Sequence, residues 1–170
     1  MILATDRGPS NPQPRSRLVH KHSREKEAIA LLVDALSAWN ARDVERMLSF
    51  LHEDHVLDSD TLPEPVVGLE AYRRYMEMYL RAFPDLRLDI TQVIPNERFI
   101  VERWTAVGTH QGELMGIAPT GRVTRIHGCS VYDITSRKIL RSWRYWDTGT
   151  LLRQLGVLAR AERTGRAQPA

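Results

Sequence analysis

Residues 69–90, LEAYRRYMEMYLRAFPDLRLDI, contain the change of hydrophobic period that decides the fold. The first part of the stretch carries apolar residues at helical spacing, which predicts a helix with one wide apolar face. Pro84 then ends the helix, because proline lacks a backbone donor and clashes with the preceding turn. Beyond it Leu86, Leu88 and Ile90 alternate with charged or polar neighbours, as in a half-buried strand.

Helices are predicted on the N-terminal side of this stretch. The first begins near Ser23, a good N-cap, and carries apolar residues at helical spacing as far as Trp39. A second, short helix follows Asp43, whose side chain can cap it. A short strand is expected at residues 55–59, between the second and third helices.

Strands predominate on the C-terminal side. Residues 99–107, 123–134 and 139–146 are rich in β-branched and aromatic residues, and a polar turn joins the last two segments. A final helix is predicted over residues 150–158. Helices first and strands afterwards predict an α+β fold, in which a curved antiparallel sheet wraps over about three helices. The resulting cone has an apolar interior suited to a small molecule.

Composition and charge narrow the class of protein. The chain has 170 residues, of which 42% are hydrophobic and 26% charged, as expected for one globular domain. Its net charge of +3 is concentrated in the two tails, so the central part is slightly acidic. Because no arginine-rich stripe with interleaved aromatic residues crosses the centre, we expect no nucleic-acid partner.

The domain boundaries follow from the same composition. We predict a disordered basic arm at residues 1–22, one domain at residues 23–158 and a disordered tail at residues 159–170. We expect neither a secretory signal nor a membrane partner, because no charged start precedes an apolar segment and no apolar run approaches about 20 residues. The single Cys129 permits no internal disulfide, so a reducing, cytoplasmic setting is the simplest interpretation.

The final hairpin brings candidate catalytic residues together. If its turn is centred on Ser136-Arg137, residues whose numbers sum to about 273 or 274 face each other, and His127 lies beside Trp146 or Asp147. A carboxylate at the mouth of an aromatic-walled cavity would be poorly solvated. Poor solvation raises a carboxyl pKa and lets the group exchange protons near neutral pH. The neighbouring imidazole could orient Asp147 or share its proton.

Simpler interpretations stand beside these. Asp147 precedes the last helix and can cap it, and His127 can be an ordinary hydrogen-bonded sheet histidine. Arg125 can be a solvated or paired charge, and Asp58 can be exposed rather than inside the cavity. The motif at residues 52–55, HEDH, lacks the spacing of a zinc-binding helix, so no metal site is predicted.

Six short motifs occur in a fixed order along the chain. They are Trp39-Asn40-Ala41-Arg42-Asp43, Phe83-Pro84-Asp85-Leu86, Gly108-Thr109-His110-Gln111-Gly112-Glu113, Pro119-Thr120-Gly121-Arg122, Lys138-Ile139 with Trp143, and Asp147 followed by Leu151-Leu152-Arg153-Gln154-Leu155-Gly156. In this order they resemble the SnoaL-like polyketide cyclases of the nuclear transport factor 2-like superfamily, over residues 25–157.

The resemblance implies a cone-shaped α+β barrel, often dimerised through its outer sheet face, and therefore a homodimer. It implies an enzyme that closes a ring of an aromatic polyketide by intramolecular aldol condensation in antibiotic biosynthesis, without a metal or organic cofactor. Asp147 matches the family's acid/base, and His127 matches the histidine near it. The flat side chains expected to wall the cavity against a polycyclic polyketide are Trp143, Tyr145, Trp104 and Trp39. Further candidates for substrate binding are His110, Arg125 and Asp58.

Two other functions remain open. One is the hydroxylation or isomerisation of a related polyketide in the same cavity, because fold alone does not fix the reaction. The other is the non-catalytic binding of a small molecule. A carboxylate of Asp147 turned into a helix cap, together with an absence of polar groups inside the cone, would favour binding alone.

Overall fold

The computed structural model describes residues 14–96 and 98–158, except for the side chains of residues 14–22. Over these residues the elements are α1 (Pro14–Ala41), α2 (Val44–Ser49), β1 (Leu51–Asp58), β2 (Val66–Val67), α3 (Leu69–Ala82), β3 (Arg87–Pro95), β4 (Phe99–Thr109), β5 (Val123–Thr135), β6 (Lys138–Trp146) and α4 (Thr148–Leu155). The order is the predicted one, apart from the two-residue strand β2, and the α+β class is confirmed.

The strands form one open sheet of mixed direction. Their order is β2-β1-β6-β5-β4-β3, and the four strands from β3 to β6 form the predicted antiparallel meander. The one exception to the predicted antiparallel sheet is β1, which pairs in parallel with β6 through Val56 and Arg141. Parallel pairing needs a long crossover connection, and here the chain from β2 to β5 supplies it.

The first helix begins earlier than predicted. It starts at Pro14 rather than near Ser23, so part of the predicted basic arm is helical. Proline suits a first helical turn, because the backbone N–H that it lacks would have no partner within the helix there. The disorder predicted for residues 1–13 and 159–170 lies outside the described residues.

Polar side chains of the motif at residues 39–43 stabilise the end of α1 and the start of α2. Asp43 caps α2 as predicted, since its carboxylate accepts a hydrogen bond from the Arg46 backbone at 3.0 Å. The Asn40 side chain both donates to the carbonyl of Leu88, at 2.8 Å, and accepts from its N–H, at 2.9 Å. Asn40 thereby acts as a strand partner at the start of β3 and ties the end of α1 to the sheet.

The core lies between the helices and the inner face of the sheet. One apolar cluster joins α1 and α3 to the sheet through buried residues such as Trp39, Met76 and Ile100. A second cluster contains Leu151 and Leu155 of α4. α4 ends at Gly156, whose φ of 79° is left-handed, as glycine at this position allows. The helix begins two residues earlier than predicted, at Thr148.

Candidate active site

A cavity lies inside the cone, between α1, α3 and the inner face of the sheet. It contains about 990 Å³ of empty space, including its opening to solvent. Most of its lining is apolar or aromatic, with a small number of polar side chains, which is the usual composition of a small-molecule site. The aromatic lining residues are Trp39, Tyr72, Tyr75, Tyr79, Phe83, Trp104, Tyr132 and Trp146.

The indole of Trp104 lies across the β5 backbone at Gly128. The two residues are directly paired between β4 and β5, and a Cβ at position 128 would overlap the Trp104 ring. The indole Nε1 also donates to the Ser130 hydroxyl at 2.9 Å. Glycine at 128 therefore allows a flat aromatic surface to form part of the cavity wall.

Glu102 is a carboxyl group buried in the cavity wall. Its Oε1 accepts a hydrogen bond from the Tyr132 hydroxyl at 2.6 Å, and only 6% of the residue is exposed. Burial raises the pKa of Glu102, although the Tyr132 hydrogen bond and the Arg144 charge act in the opposite direction. This group can hold or release a proton closer to neutral pH than an exposed glutamate can.

Arg144 places a cation in the same cavity. Its Nη1 donates to the Tyr75 hydroxyl at 2.8 Å, and its guanidinium lies 5.7 Å from the centroid of that ring. Burial by itself lowers the pKa of Arg144, but Tyr75, Tyr72, Tyr132 and Glu102 raise it, and the resulting pKa lies well above the ordinary value. The side chain is therefore charged at any physiological pH.

The tyrosines of α3 form the wall opposite the sheet. Tyr72, Tyr75 and Tyr79 follow one another along the helix, with ring centroids 5.7 Å and 5.0 Å apart. Trp39 of α1 donates to the Tyr72 hydroxyl at 3.3 Å. Burial raises the pKa of both Tyr72 and Tyr79, so these hydroxyls stay protonated and act as neutral polar groups.

The structure corrects the predicted environment of Asp147. Its carboxylate is exposed and caps α4, accepting from the Thr150 backbone at 3.1 Å and from the Thr150 hydroxyl at 2.5 Å. These hydrogen bonds, with the charge of Arg153 nearby, lower the pKa of Asp147. The expectation of a poorly solvated carboxylate with a raised pKa is wrong, and the simpler interpretation as a helix cap is confirmed.

The hairpin register is as predicted, but His127 lies on the other face of the sheet. Paired residues sum to 274 from Gly128–Trp146 through Asp133–Arg141, and the pairing ends one step before His127 would meet Asp147. His127 is exposed, with its Nδ1 3.0 Å from the Thr105 hydroxyl. Among the described residues no hydrogen bond or ion pair joins His127 to Asp147.

The predicted cavity face of β6 is also the wrong one. Ser142, Arg144 and Trp146 line the cavity, so the alternate residues Trp143 and Tyr145 lie on the outer face of the sheet. Arg125, which shares a face of β5 with His127, is likewise exposed outside the cone. The prediction that Trp143 and Tyr145 wall the cavity is wrong, because alternate side chains of a strand point to opposite faces. The exposure of Arg125 agrees with its simpler interpretation as a solvated charge.

The remaining candidates have mixed outcomes. Trp39 and Trp104 do line the cavity, and their part in substrate binding stays a prediction. Asp58 is exposed on β1 and does not line the cavity. His110 is buried beside Phe83 and bonds Thr120 through Nδ1, which holds the loop after β4 rather than facing the cavity.

The HEDH motif at residues 52–55 is divided between two environments. His55 is fully buried, with its Nδ1 3.1 Å from the Ile139 carbonyl, and burial lowers its pKa to about 4. His52 lies near Asp54 at the surface, with 28% of its side chain exposed. Among residues 14–96 and 98–158, no three His, Cys, Asp or Glu side chains are grouped so that they could hold a metal ion.

Residues 30–155 match the family of SnoaL-like polyketide cyclases. The chain belongs to this family. No curated protein matches it. Within the described part of this SnoaL-like protein, no helix is both long and apolar enough to span a membrane.

Solved structures with the same fold include proteins of related description. AclR from Streptomyces galilaeus, described as a candidate hydroxylase, is 29% identical over 82% of this chain and 87% of its own, with a TM-score of 0.73. TsrD from Streptomyces laurentii is 24% identical over 78% of this chain and 97% of its own, with a TM-score of 0.71. IdmH from Streptomyces antibioticus, described as a candidate polyketide cyclase, is 23% identical over 76% of this chain and 98% of its own, with a TM-score of 0.68. The likenesses to TsrD and IdmH concern the fold alone.

Proposed function

We propose that this SnoaL-like protein closes a ring of an aromatic polyketide intermediate by an intramolecular aldol-type reaction, without a cofactor, in the cytoplasm and in antibiotic biosynthesis. The observation that carries the proposal is a carboxyl group, Glu102, buried in an aromatic-walled cavity with a raised pKa and a hydrogen bond from Tyr132. The family's general activity and the shape of the cavity agree with it.

The proposed reaction needs proton transfers only. The Glu102 carboxylate removes a proton from a carbon next to a carbonyl group, and the resulting enolate carbon forms a bond to the carbon of an acceptor carbonyl. The acceptor oxygen then takes up a proton, so that the product has the same atoms as the substrate. A base whose pKa is raised towards the working pH both accepts and returns a proton efficiently.

The aromatic walls favour a planar polycyclic substrate. Trp104 and Trp146 on the sheet side lie opposite Tyr75 and Tyr79 of α3. Large flat side chains offer apolar area to a fused ring system at low entropic cost. Holding the two reacting carbons of one molecule together in such a cavity supplies much of the rate enhancement.

Asp147, the residue that the resemblance assigns as acid/base, is the rival candidate for the proton transfer. Its exposed position and lowered pKa do not favour that role in this conformation. Two isosteric variants, Glu102→Gln and Asp147→Asn, separate the two residues. Asparagine keeps the oxygen that accepts from the Thr150 backbone, so the second variant preserves the cap.

The test incubates each protein with a panel of polycyclic polyketide methyl esters and follows ring closure as a chromatographic shift without a change in mass. We expect Glu102→Gln to lose about a hundredfold or more in rate, and Asp147→Asn to stay within a few-fold of the wild type. If turnover is lost in Asp147→Asn and kept in Glu102→Gln, then Asp147 and not Glu102 is the acid/base of ring closure.

A second candidate function is cofactor-independent hydroxylation. The likeness to the candidate hydroxylase AclR, at 29% identity, favours it. The same cavity would then remove a proton from the substrate, and the carbanion would add O2 to form a hydroperoxide. A two-electron reductant, such as a hydroquinone form of the polyketide, would then cleave the O–O bond to give the hydroxyl product and water. Oxygen uptake in the presence of substrate would identify a hydroxylase, whereas a cyclase or an isomerase consumes none.

Non-catalytic binding is less well supported. Asp147 is turned into a helix cap, which is one of the two features that favour binding alone. However, Glu102, Tyr132 and Arg144 place polar and charged groups inside the cone. A site built only to hold an apolar molecule gains nothing from burying them, because each costs desolvation energy.

The outer face of the sheet supports a homodimer. Phe99 and Tyr145 are exposed there, and Arg141 lies over the Trp143 ring at 5.7 Å. Aromatic residues and arginine are the side chains most enriched at interfaces between protein subunits. We propose that two copies associate through this face. Analytical ultracentrifugation should give the mass of a dimer for the wild type and of a monomer for Trp143→Glu.

A further inference from the structure

Arg144 is a partly buried cation whose hydrogen-bond partners are neutral tyrosine hydroxyls. A guanidinium carries five N–H donors, and two tyrosine hydroxyls of α3 engage only part of them: Nη1 donates to Tyr75 at 2.8 Å, and Tyr72 is the second partner. Among the described residues no carboxylate oxygen lies within 4.0 Å of its nitrogens. Its free donors therefore face a cavity rather than an ion-pair partner.

Burying a charge in this way is expensive unless something pairs with it. An isolated ion loses much of its hydration inside a protein, and natural proteins almost always provide a counter-ion or a ligand. Glu102 shares the cavity with Arg144 but is hydrogen-bonded to Tyr132 instead. The Glu102 and Arg144 charges attract each other across the cavity without forming an ion pair, so the guanidinium keeps donors that a ligand can use.

The fold holds the Arg144 guanidinium in place. Arg144 lies on β6 opposite Ser130 of β5, with Ser142 and Trp146 as its neighbours on the same face. From there its side chain reaches across to α3, where it contacts Tyr75. A cation fixed between two walls presents its remaining donors in a defined direction, within a mostly apolar and aromatic lining.

We propose that Arg144, with Tyr75, forms a binding site for an anionic oxygen of a planar polycyclic ligand, either a carboxylate or an ionised hydroxyquinone. The inference rests on the proposed function for the polycyclic class of ligand. Arginine binds such oxygens through two parallel N–H groups, and the apolar walls strengthen the attraction by excluding water. The Tyr75 hydroxyl is a further donor to the same oxygen. The natural substrate accordingly carries a negative charge at the edge that lies against β6.

The test compares the binding of matched charged and neutral probes by calorimetry. The first pair is anthraquinone-2-carboxylate and anthraquinone-2-carboxamide; the second is 2-hydroxyanthraquinone, at a pH where it is ionised, and 2-methoxyanthraquinone. We expect the wild type to bind at least one anionic probe about tenfold or more tightly than its neutral partner. Preference within the first pair alone identifies a carboxylate site, and preference within both identifies a site for any anionic oxygen.

Two variants of β6 test whether Arg144 causes the preference for anionic probes. Arg144→Met keeps the length of the side chain and removes the charge, so it should abolish the preference for the anion. Arg141→Met is the matched control, because Arg141 is an exposed arginine on the opposite face of the same strand, and it should keep the preference. If Arg144→Met does not fold, Arg144→Lys should retain charge preference with weaker binding.

Equal binding of charged and neutral probes by the wild type would overturn the anion site, as would a preference that survives in Arg144→Met. Neither result would affect the proposed role of Glu102. Conversely, full turnover in Glu102→Gln would overturn that role and leave the probe preference unchanged. If no anthraquinone binds at all, both the anion site and the polycyclic class of substrate are wrong.

Discussion

The Tyr132 hydroxyl donates a 2.6 Å hydrogen bond to Glu102 on the inner face of the sheet. Both side chains are buried, and the bond stabilises the ionised carboxylate against the effect of burial. The Tyr132 hydroxyl therefore adjusts the pKa of Glu102. The two residues lie on the adjacent strands β5 and β4, and the register of these strands fixes the distance between the two side chains.

Tyr132→Phe removes the donor and keeps the ring. Because the hydrogen bond lowers the pKa of Glu102, its loss should raise that pKa further. The acidic limb of the kcat/KM profile for ring closure should then move to higher pH, since the carboxylate form becomes available later. An acidic limb that stays where it is in the wild type would show that Glu102 is not the group being titrated.

Gly128→Ala should disturb the cavity wall. The added methyl group overlaps the Trp104 indole, which has to leave its position across β5. We expect a loss of stability of about 1–3 kcal/mol and weaker binding of the anthraquinone probes. Cys129→Ala, one residue along and on the alternate face, is the control and should retain probe affinity. Unchanged stability and binding in Gly128→Ala would contradict the placement of Trp104.

Asp147→Ala should destabilise the protein more than Asp147→Asn, because alanine cannot accept from Thr150. The pKa of Asp147 is lowered in the folded protein, so its contribution to stability is present above its ordinary value of 3.8. That contribution is lost as pH falls through the folded pKa. Melting temperatures of the wild type and Asp147→Ala should therefore converge in acid, and a constant difference would contradict the cap.

His55 should make the protein sensitive to acid. Burial lowers its pKa from 6.5 to about 4, so the unfolded chain binds a proton over this range and the folded protein does not. Stability should be complete above pH 6.5 and fall as pH decreases towards 4, by at most about 1.4 kcal/mol per pH unit. Denaturant titrations across the range measure the slope. In His55→Leu the part of the slope due to this residue should vanish, and an unchanged slope would refute the assignment.

Much of the fold follows from the sequence, because hydrophobic period and capping residues are local signals. The change of period at Pro84 separates α3 from β3, and Asp43 and the polar turn before Lys138 mark further boundaries. The parallel pairing of β1 with β6 is not local. It depends on where the strand lies once the helices have packed, which no segment of the chain encodes by itself.

The site was predicted less well, because one choice of strand face decides every side chain on that strand. The predicted register of the hairpin is correct. The face of β6 is not, because Trp143 and Tyr145 are aromatic residues of the outer face, and aromatic character alone does not distinguish the two faces of a strand. A better signal was present. Trp104 lines the cavity as predicted, and it pairs directly with Gly128, which in turn pairs with Trp146. Glu102 and Arg144 lie two residues from Trp104 and Trp146, so they share the same inner face.

The most direct measurement of the central claim is proton exchange at the donor carbon. A polyketide methyl ester that the wild type cyclises is prepared with its acceptor carbonyl reduced, so that deprotonation can occur but ring closure cannot. Incorporation of deuterium from heavy water is then followed by NMR. The wild type and Asp147→Asn should exchange this proton at similar rates, while Glu102→Gln should be slower by about a hundredfold or more. Exchange that persists in Glu102→Gln and is lost in Asp147→Asn would contradict the account.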